Sequence, residues 1–219
     1  LVSTLTDNYA TILEINTETD FAAKDSSFLS FAEKVKTYIT ENKVTDINSL
    51  EDSSLEEERK TLIQTIGENI QLRRIETIDF TSEMKKGLYM HFDSKLAAIV
   101  ITKDGSDEVA RNVAMHVSAF NPLCLSEDDI DKDVLEREKA IFANQAQESG
   151  KPQEIMDKIV EGKVKRFLSE VSLLSQDFVK DSEITVQEYL NQNSAIALDF
   201  VRLKVGEGIE VETKDFAEE

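Results

Sequence analysis

Two histidines, His91 and His116, and one cysteine, Cys124, are the side chains best suited to acid–base, nucleophilic or metal chemistry. Their spacing argues against all three. No H-E-x-x-H pair exists to clamp zinc on one helical face, and one cysteine with two separated histidines makes no ligand set. His116 lies in the helical stretch Ala114-Met115-His116-Val117, which gives it a structural or surface role. His91 falls on an expected strand, where a single imidazole is ordinarily structural. Neither has the partners that proton transfer or nucleophilic attack requires. Nucleotide binding is no better served. The chain has seven glycines, the closest pair (Gly206-Glu207-Gly208) encloses an acid, and no G-x-x-x-x-G-K-[ST] occurs. The basic cluster Lys163, Lys165 and Arg166 lies on an acid-rich helix and reads as a solvated face. No catalytic residue, no metal and no cofactor is expected.

Docking is the other chemistry a side chain can do, and Glu18-Thr19-Asp20-Phe21-Ala22-Ala23-Lys24-Asp25 is where the chain is equipped for it. The segment follows the apolar-rich run Tyr9–Asn16 and precedes a strongly periodic helix. A phenylalanine among polar residues at such a junction has two readings. It packs as a staple under the next helix, or it stays exposed on a short turn until another protein supplies a pocket. The local residues leave both open.

The elements that must position this segment are legible around it. Residues 9–16 read as a strand. Phe28, Phe31, Ala32, Val35 and Ile39 then recur at helical spacing, with Asp25 or Ser26 as the cap. A second helix is expected from about Leu55 to Asn69, with Leu55, Leu62, Ile63 and Ile66 as its apolar stripe. Alternation from Ile70 marks a strand whose length is obscured by Arg74 and Ile75. Leu88–Phe92 and Leu96–Ile101 read as paired strands joined by Asp93-Ser94-Lys95. Asp104-Gly105 leads into a helix carrying Val109, Val113, Val117 and Phe120, stopped by Asn121-Pro122. This strand, acidic turn and helix echo residues 9–39. From Ser126 to about Leu174 the chain is highly charged with sparse apolar positions, broken at Ser149-Gly150-Lys151-Pro152, as in an antiparallel helical hairpin that projects from the body. A short helix at Thr185–Leu190 and a strand at Ala197–Val205 follow. The acidic segment from Lys214 begins a last helix.

Composition narrows the class. At 219 residues and 40% hydrophobic, the chain can bury one large core or two small ones. It has 44 acidic and 25 basic residues, a net charge of −19, which repels a phosphate backbone and excludes direct nucleic-acid binding. A single cysteine permits no intrachain disulfide and fits a reducing, cytoplasmic setting. No run approaches the roughly 18 apolar residues of a membrane span, so no membrane association is expected. The abrupt start at Leu1 reads as a fragment whose upstream part is missing.

These motifs, taken together, closely resemble the bacterial elongation factor Ts family. The matching stretches are Glu18–Asp25, Ile66-Gly67-Glu68-Asn69-Ile70, Ala114–Val117, Ser149–Lys163 with Phe178-Val179-Lys180-Asp181, Val205–Glu210 and Asp215-Phe216-Ala217. They recur in the family's order over nearly the whole chain. The resemblance implies an α+β fold: two similar subdomains with antiparallel sheets, plus a protruding coiled-coil hairpin. The expected boundaries are 1–81 for the N-subdomain, 82–126 with 172–206 for the C-subdomain, 127–171 for the hairpin and 207–219 for a C-terminal helical module. The family's first helical domain has no counterpart before Leu1. Ala22 stands where the family usually carries Val, trimming an apolar contact worth roughly 1 kcal/mol if buried.

The resemblance also implies a function that the residues alone do not reach, guanine nucleotide exchange on elongation factor Tu in translation elongation, without bond-making. Thr19, Asp20, Phe21 and Ala22 would form the loop that enters the GTPase domain and dislocates its magnesium. Ile66, Gly67 and His91 would be further partner contacts. A homodimer through the hairpin, or a two-to-two complex, is the assembly this allows. The competing class is a scaffold whose acidic hairpin mediates assembly, with a catalytic enzyme a distant third for want of a site.

Overall fold

The computed structural model describes residues 1–51, 53–148, 150 and 152–209. The chain divides into two compact units. Among the described residues, the first gathers Leu1–Thr77, Met90–Ala97 and 203–209; the second gathers Ile78–Tyr89 and Ala98–Arg202. Helices and small sheets are mixed along the chain, an α+β arrangement.

In the first unit β1 (Val2–Leu5), β2 (Tyr9–Thr17) and β3 (Ile70–Asp79) form a sheet in the order β1-β2-β3. β1 runs antiparallel to β2, with Val2 opposite Leu13 and Leu5 opposite Ala10. Four residues are too few to display a period, so β1 leaves no strand signal in the sequence. As the central strand, β2 is buried at every position from Tyr9 to Ile15. Helix α1 (Ser26–Asn42) begins where the Asp25 carboxylate accepts from the Ser27 amide at 2.7 Å. Its five expected apolar positions, Phe28, Phe31, Ala32, Val35 and Ile39, are its buried ones. They pack with Leu13, Ile15, Ile70 and residues of α2 (Ser54–Ile66) into one core. α2 stops at Ile66, three residues earlier than expected. Gly67 turns left-handed there (φ 79°) and its amide returns to the Ile63 carbonyl at 2.8 Å.

Glu14, fully buried in β2, is the polar centre of this unit. Arg73 Nη1 donates to both its oxygens at 3.0 Å, Arg74 Nε donates at 2.5 Å and the Gly206 amide at 2.9 Å. The same arginines donate onward to the carbonyls of Glu207 and Lys204, each at 2.7 Å. Burial pushes the Glu14 carboxyl up. The bonds from Gly206, Arg74 and Arg73 outweigh that and hold it below the usual glutamate range. Arg74, which breaks the alternation of β3, and its neighbour Arg73 are therefore both recruited to one buried carboxylate.

In the second unit the elements are α3 (Asp107–Phe120), α4 (Lys132–Gln147), α5 (Gln153–Val171), β6 (Asp177–Phe178), β7 (Asp181–Thr185) and α6 (Val186–Gln192). A further sheet has the order β4 (Lys85–Met90), β5 (Leu96–Asp104), β8 (Ala195–Lys204). Ala98, Val100, Val109, Val113, Val117, Leu173, Phe178 and Leu190 belong to one core cluster. The last apolar position expected on α3 fails: Phe120 is half exposed, and its ring stacks on His116 with centroids 4.7 Å apart. His116 itself is buried. Its Nδ1 accepts from the Val179 amide at 3.1 Å, so Nε2 carries the proton toward Gln176 Oε1 at 2.9 Å. Desolvation lowers its pKa, against a smaller opposing effect of Gln176. It is a structural histidine.

Gly87 in β4 faces the helix so closely that a Cβ would collide with backbone atoms of Ala110 and Arg111 in α3. Backbone cannot swing aside as a flexible side chain can. Gly87→Ala should therefore cost about 2–3 kcal/mol, the upper part of the overpacking range, read as a lower thermal midpoint.

Helices α4 and α5 pack on each other, with Phe142 and Phe167 in edge contact at 6.2 Å. Ala146 is the one buried side chain among their described residues. Lys163 of the basic cluster lies 5.7 Å over the Phe142 ring and donates to Gln145 Oε1 at 2.5 Å, while Arg166 pairs with Glu170 at 2.7 Å. The C-terminal module expected at 207–219 lies outside the described residues from Glu210 onward, as do Ser149 and Lys151 in the break between α4 and α5.

Candidate docking site

Strand β2 delivers the chain into a tight reversal before α1. The Thr19 carbonyl accepts from Thr17 Oγ1 at 3.0 Å and from the Ala23 amide at 3.2 Å, and a 3-10 turn follows at Ala22–Lys24. One residue of this turn, Ala22, points inward and is 4% exposed. The ring of Phe21 beside it is 88% exposed. That removes the staple reading. Phe28 and Phe31, α1's own residues, are the buried phenylalanine rings of that core, and Phe21 is not among them.

Two charged side chains from distant parts of the sequence hold the turn. Glu68, just past the end of α2, accepts the Thr19 amide at 2.9 Å and the Thr19 hydroxyl at 2.6 Å. On the other side of the turn, Lys95 donates to Asp20 Oδ1 at 2.6 Å. The Lys95 ammonium holds the Asp20 carboxyl below the usual aspartate range. Three sequence segments, 19–22, 66–68 and 91–95, are thus brought into one neighbourhood of the first unit.

His91 was expected on a strand, but β4 ends at Met90. The reversal begins at His91 because Asp93 organises it. Asp93 Oδ1 lies 2.8 Å from His91 Nδ1 and accepts the Lys95 amide at 2.9 Å, and Ser94 adopts a left-handed φ of 56°. The Lys95 amide is the largest influence lowering the Asp93 carboxyl, followed by His91. Phe92, placed within a strand by the sequence, sits instead on this turn at 92% exposure, with its ring 4.3 Å from His91. Ile66 packs partly against the first core, while the space a Cβ would take on Gly67 is open.

Sequence reasoning named Thr19, Asp20, Phe21, Ala22, Ile66, Gly67 and His91, and passed over Glu68, Lys95 and Phe92. No local pattern marks the two tethers, which act across 49 and 75 positions. Among the described residues no group of three or more His, Cys, Asp or Glu could hold a metal ion. The groove between α1 and α2 is lined by the hydroxyls of Ser26, Ser27, Ser30 and Thr61 and by the Lys34–Glu58 ion pair, with no histidine among its lining residues. No described helix is long and apolar enough to cross a membrane.

Comparison with known proteins places this geometry in a family context. The family model of Elongation factor TS matches residues 18–207. The chain is 42% identical to Elongation factor Ts of Hahella chejuensis, over 97% of the chain and 73% of that protein. It is 44% identical to Elongation factor Ts of Francisella tularensis subsp. novicida, over 97% and 74% respectively. The counterpart in Legionella pneumophila is 42% identical over 96% of the chain and 73% of its own length.

Proposed function

Because the chain belongs to the elongation factor Ts family, we propose that it is a guanine nucleotide exchange factor. It binds elongation factor Tu, GDP-bound or nucleotide-free, and speeds GDP release. The observation that carries this reading is a phenylalanine 88% exposed on a turn fixed from two sides. A ring left in water has a use when a partner supplies its pocket. Phe21 enters the partner's GTPase domain with Thr19 and Asp20 around it and disturbs the groups that hold magnesium and phosphate. Buried Ala22 supports the turn from below. Ile66, Gly67 and His91 supply neighbouring contacts, and the open space over Gly67 admits another backbone.

The thermodynamics require no chemistry from this chain. If docking lowers GDP affinity, GDP lowers affinity for the factor by the same ratio. Each tenfold loosening takes about 1.4 kcal/mol of differential binding. Burying one Phe provides roughly 1.5–3 kcal/mol, so the rest of the loosening comes from magnesium loss and the wider interface. We read α4 and α5 as a coiled-coil hairpin that adds a second contact surface, either for a homodimer or for a two-to-two complex.

Stopped-flow release of fluorescent GDP from elongation factor Tu tests the proposal. Acceleration that grows with the concentration of this chain and then saturates is the expected result. Binding to elongation factor Tu with no change in GDP release would replace it with the scaffold reading.

A further inference from the structure

The proposed exchange reading names Phe21 as the inserting group; what keeps that ring presented is a separate question, and two unassigned side chains answer it. We propose that Glu68 and Lys95 are positioning residues that clamp the 19–22 turn in its docking conformation before the partner arrives. This inference rests on the exchange-factor reading.

Beyond its local backbone bonds the turn has few side-chain anchors. Phe21 makes no core contact, and Ala22 is the one buried side chain among residues 19–22. The 3-10 turn that follows has no side-chain cap at Phe21. Glu68 supplies what is missing. Its two oxygens take the amide and hydroxyl of Thr19, and Thr19 Oγ1 in turn accepts the Ala22 amide at 3.3 Å. Thr19 and Ala22, which bracket the Asp20-Phe21 pair, are thereby fixed relative to the end of α2. Charge-assisted bonds of this length are the stronger kind. Lys95 adds a second tether through Asp20, but both partners are at least half exposed, so its contribution is smaller and falls with salt.

The functional consequence follows from population arithmetic. A partner that recognises one conformation of the turn binds with an apparent constant weakened by the fraction of molecules in that conformation. Removing a tether lowers that fraction without removing any group that the partner touches. An effect of this kind must act through the groups the turn presents, of which Phe21 is the largest.

That condition sets the test. Glu68→Ala in the full chain is expected to weaken stimulation of GDP release by about five-fold at sub-saturating factor, equivalent to ~1 kcal/mol. Lys95→Met is expected to weaken it about two-fold at low salt and less at high salt. Glu68→Gln, which keeps one acceptor oxygen, should recover part of the loss. In a Phe21→Ala background, Glu68→Ala should have a clearly smaller further effect on exchange. Amide hydrogen exchange of the free chain should quicken at Thr19 and Ala22 in Glu68→Ala, with the thermal midpoint held. Equal losses in both backgrounds would overturn the proposal and make Glu68 a contact in its own right. Unchanged protection at Thr19 would overturn it independently of the partner. A parent chain that leaves GDP release unaltered, with the Thr19 protection still dependent on Glu68, would instead remove the exchange reading and leave the clamp without its role.

Discussion

Phe21→Ala should slow factor-stimulated GDP release by about ten- to a hundredfold while leaving the thermal midpoint of the free chain almost unmoved. The two halves of this expectation come from one number. A ring 88% exposed contributes next to nothing to the fold, and surface substitutions of that kind stay within about 0.5 kcal/mol. When the partner buries the same ring, its transfer from water is worth roughly 1.5–3 kcal/mol, and each 1.4 kcal/mol is a factor of ten. Stopped-flow traces of fluorescent GDP, with the parent and the variant at matched concentrations, measure the first half. A thermal melt monitored by circular dichroism measures the second. A variant that melts much earlier would return Phe21 to a structural role, and one that exchanges at the parental rate would remove it from the mechanism.

Glu14→Gln is expected to produce the opposite profile, a large loss of stability with no direct bearing on docking chemistry. The substitution keeps the shape but removes the charge that four hydrogen bonds converge upon. Breaking a buried ion pair typically costs about 3–5 kcal/mol; because both arginines remain partly accessible to water, about 3–4 kcal/mol is expected here. The sign with pH is set by the direction of the Glu14 shift. Its folded pKa lies below the ordinary value of 4.5, so its stabilisation is present in full above that value and is lost as pH falls through the folded one. The gap between parent and variant in urea unfolding should therefore be wide at pH 7 and narrow on acidification below about pH 4.5. A gap that stays constant across that range would mean that the ionised carboxylate is not what holds this centre together.

How much of this was legible in the residues depends on the range of the forces involved. The buried face of α1 could be read from five apolar positions, because helical periodicity and core packing express the same geometry. The ends of elements were harder. α2 stops at Gly67 for a backbone reason, and the Asp93-centred turn begins two residues before the side chain that organises it. Strands β1, β6 and β7 are too short for a period to register. At the candidate site, the residues of the Glu18–Asp25 segment suited both a staple and an exposed wedge. Only the packing of α1 distinguishes them, by filling the core with Phe28 and Phe31 and leaving no room that Phe21 occupies. Glu68 and Lys95 were invisible for a different reason: their significance lies in a partner dozens of positions away, and nothing in their immediate neighbours records it.

The buried carboxylate of Glu14 also sets an order of events during synthesis. Its final hydrogen-bond donor, the Gly206 amide, is made 192 residues later. At a translation rate of roughly 5–20 residues per second, the interval is about 10–40 s. Until then the first sheet can assemble with Arg73 and Arg74 in place, yet one donor to the carboxylate has not emerged from the ribosome. A first sheet that closes before residue 206 is made holds an incompletely satisfied acid. The bonds that residues 204–207 make with Glu14, Arg73 and Arg74 are thus available only after most of the chain has been made.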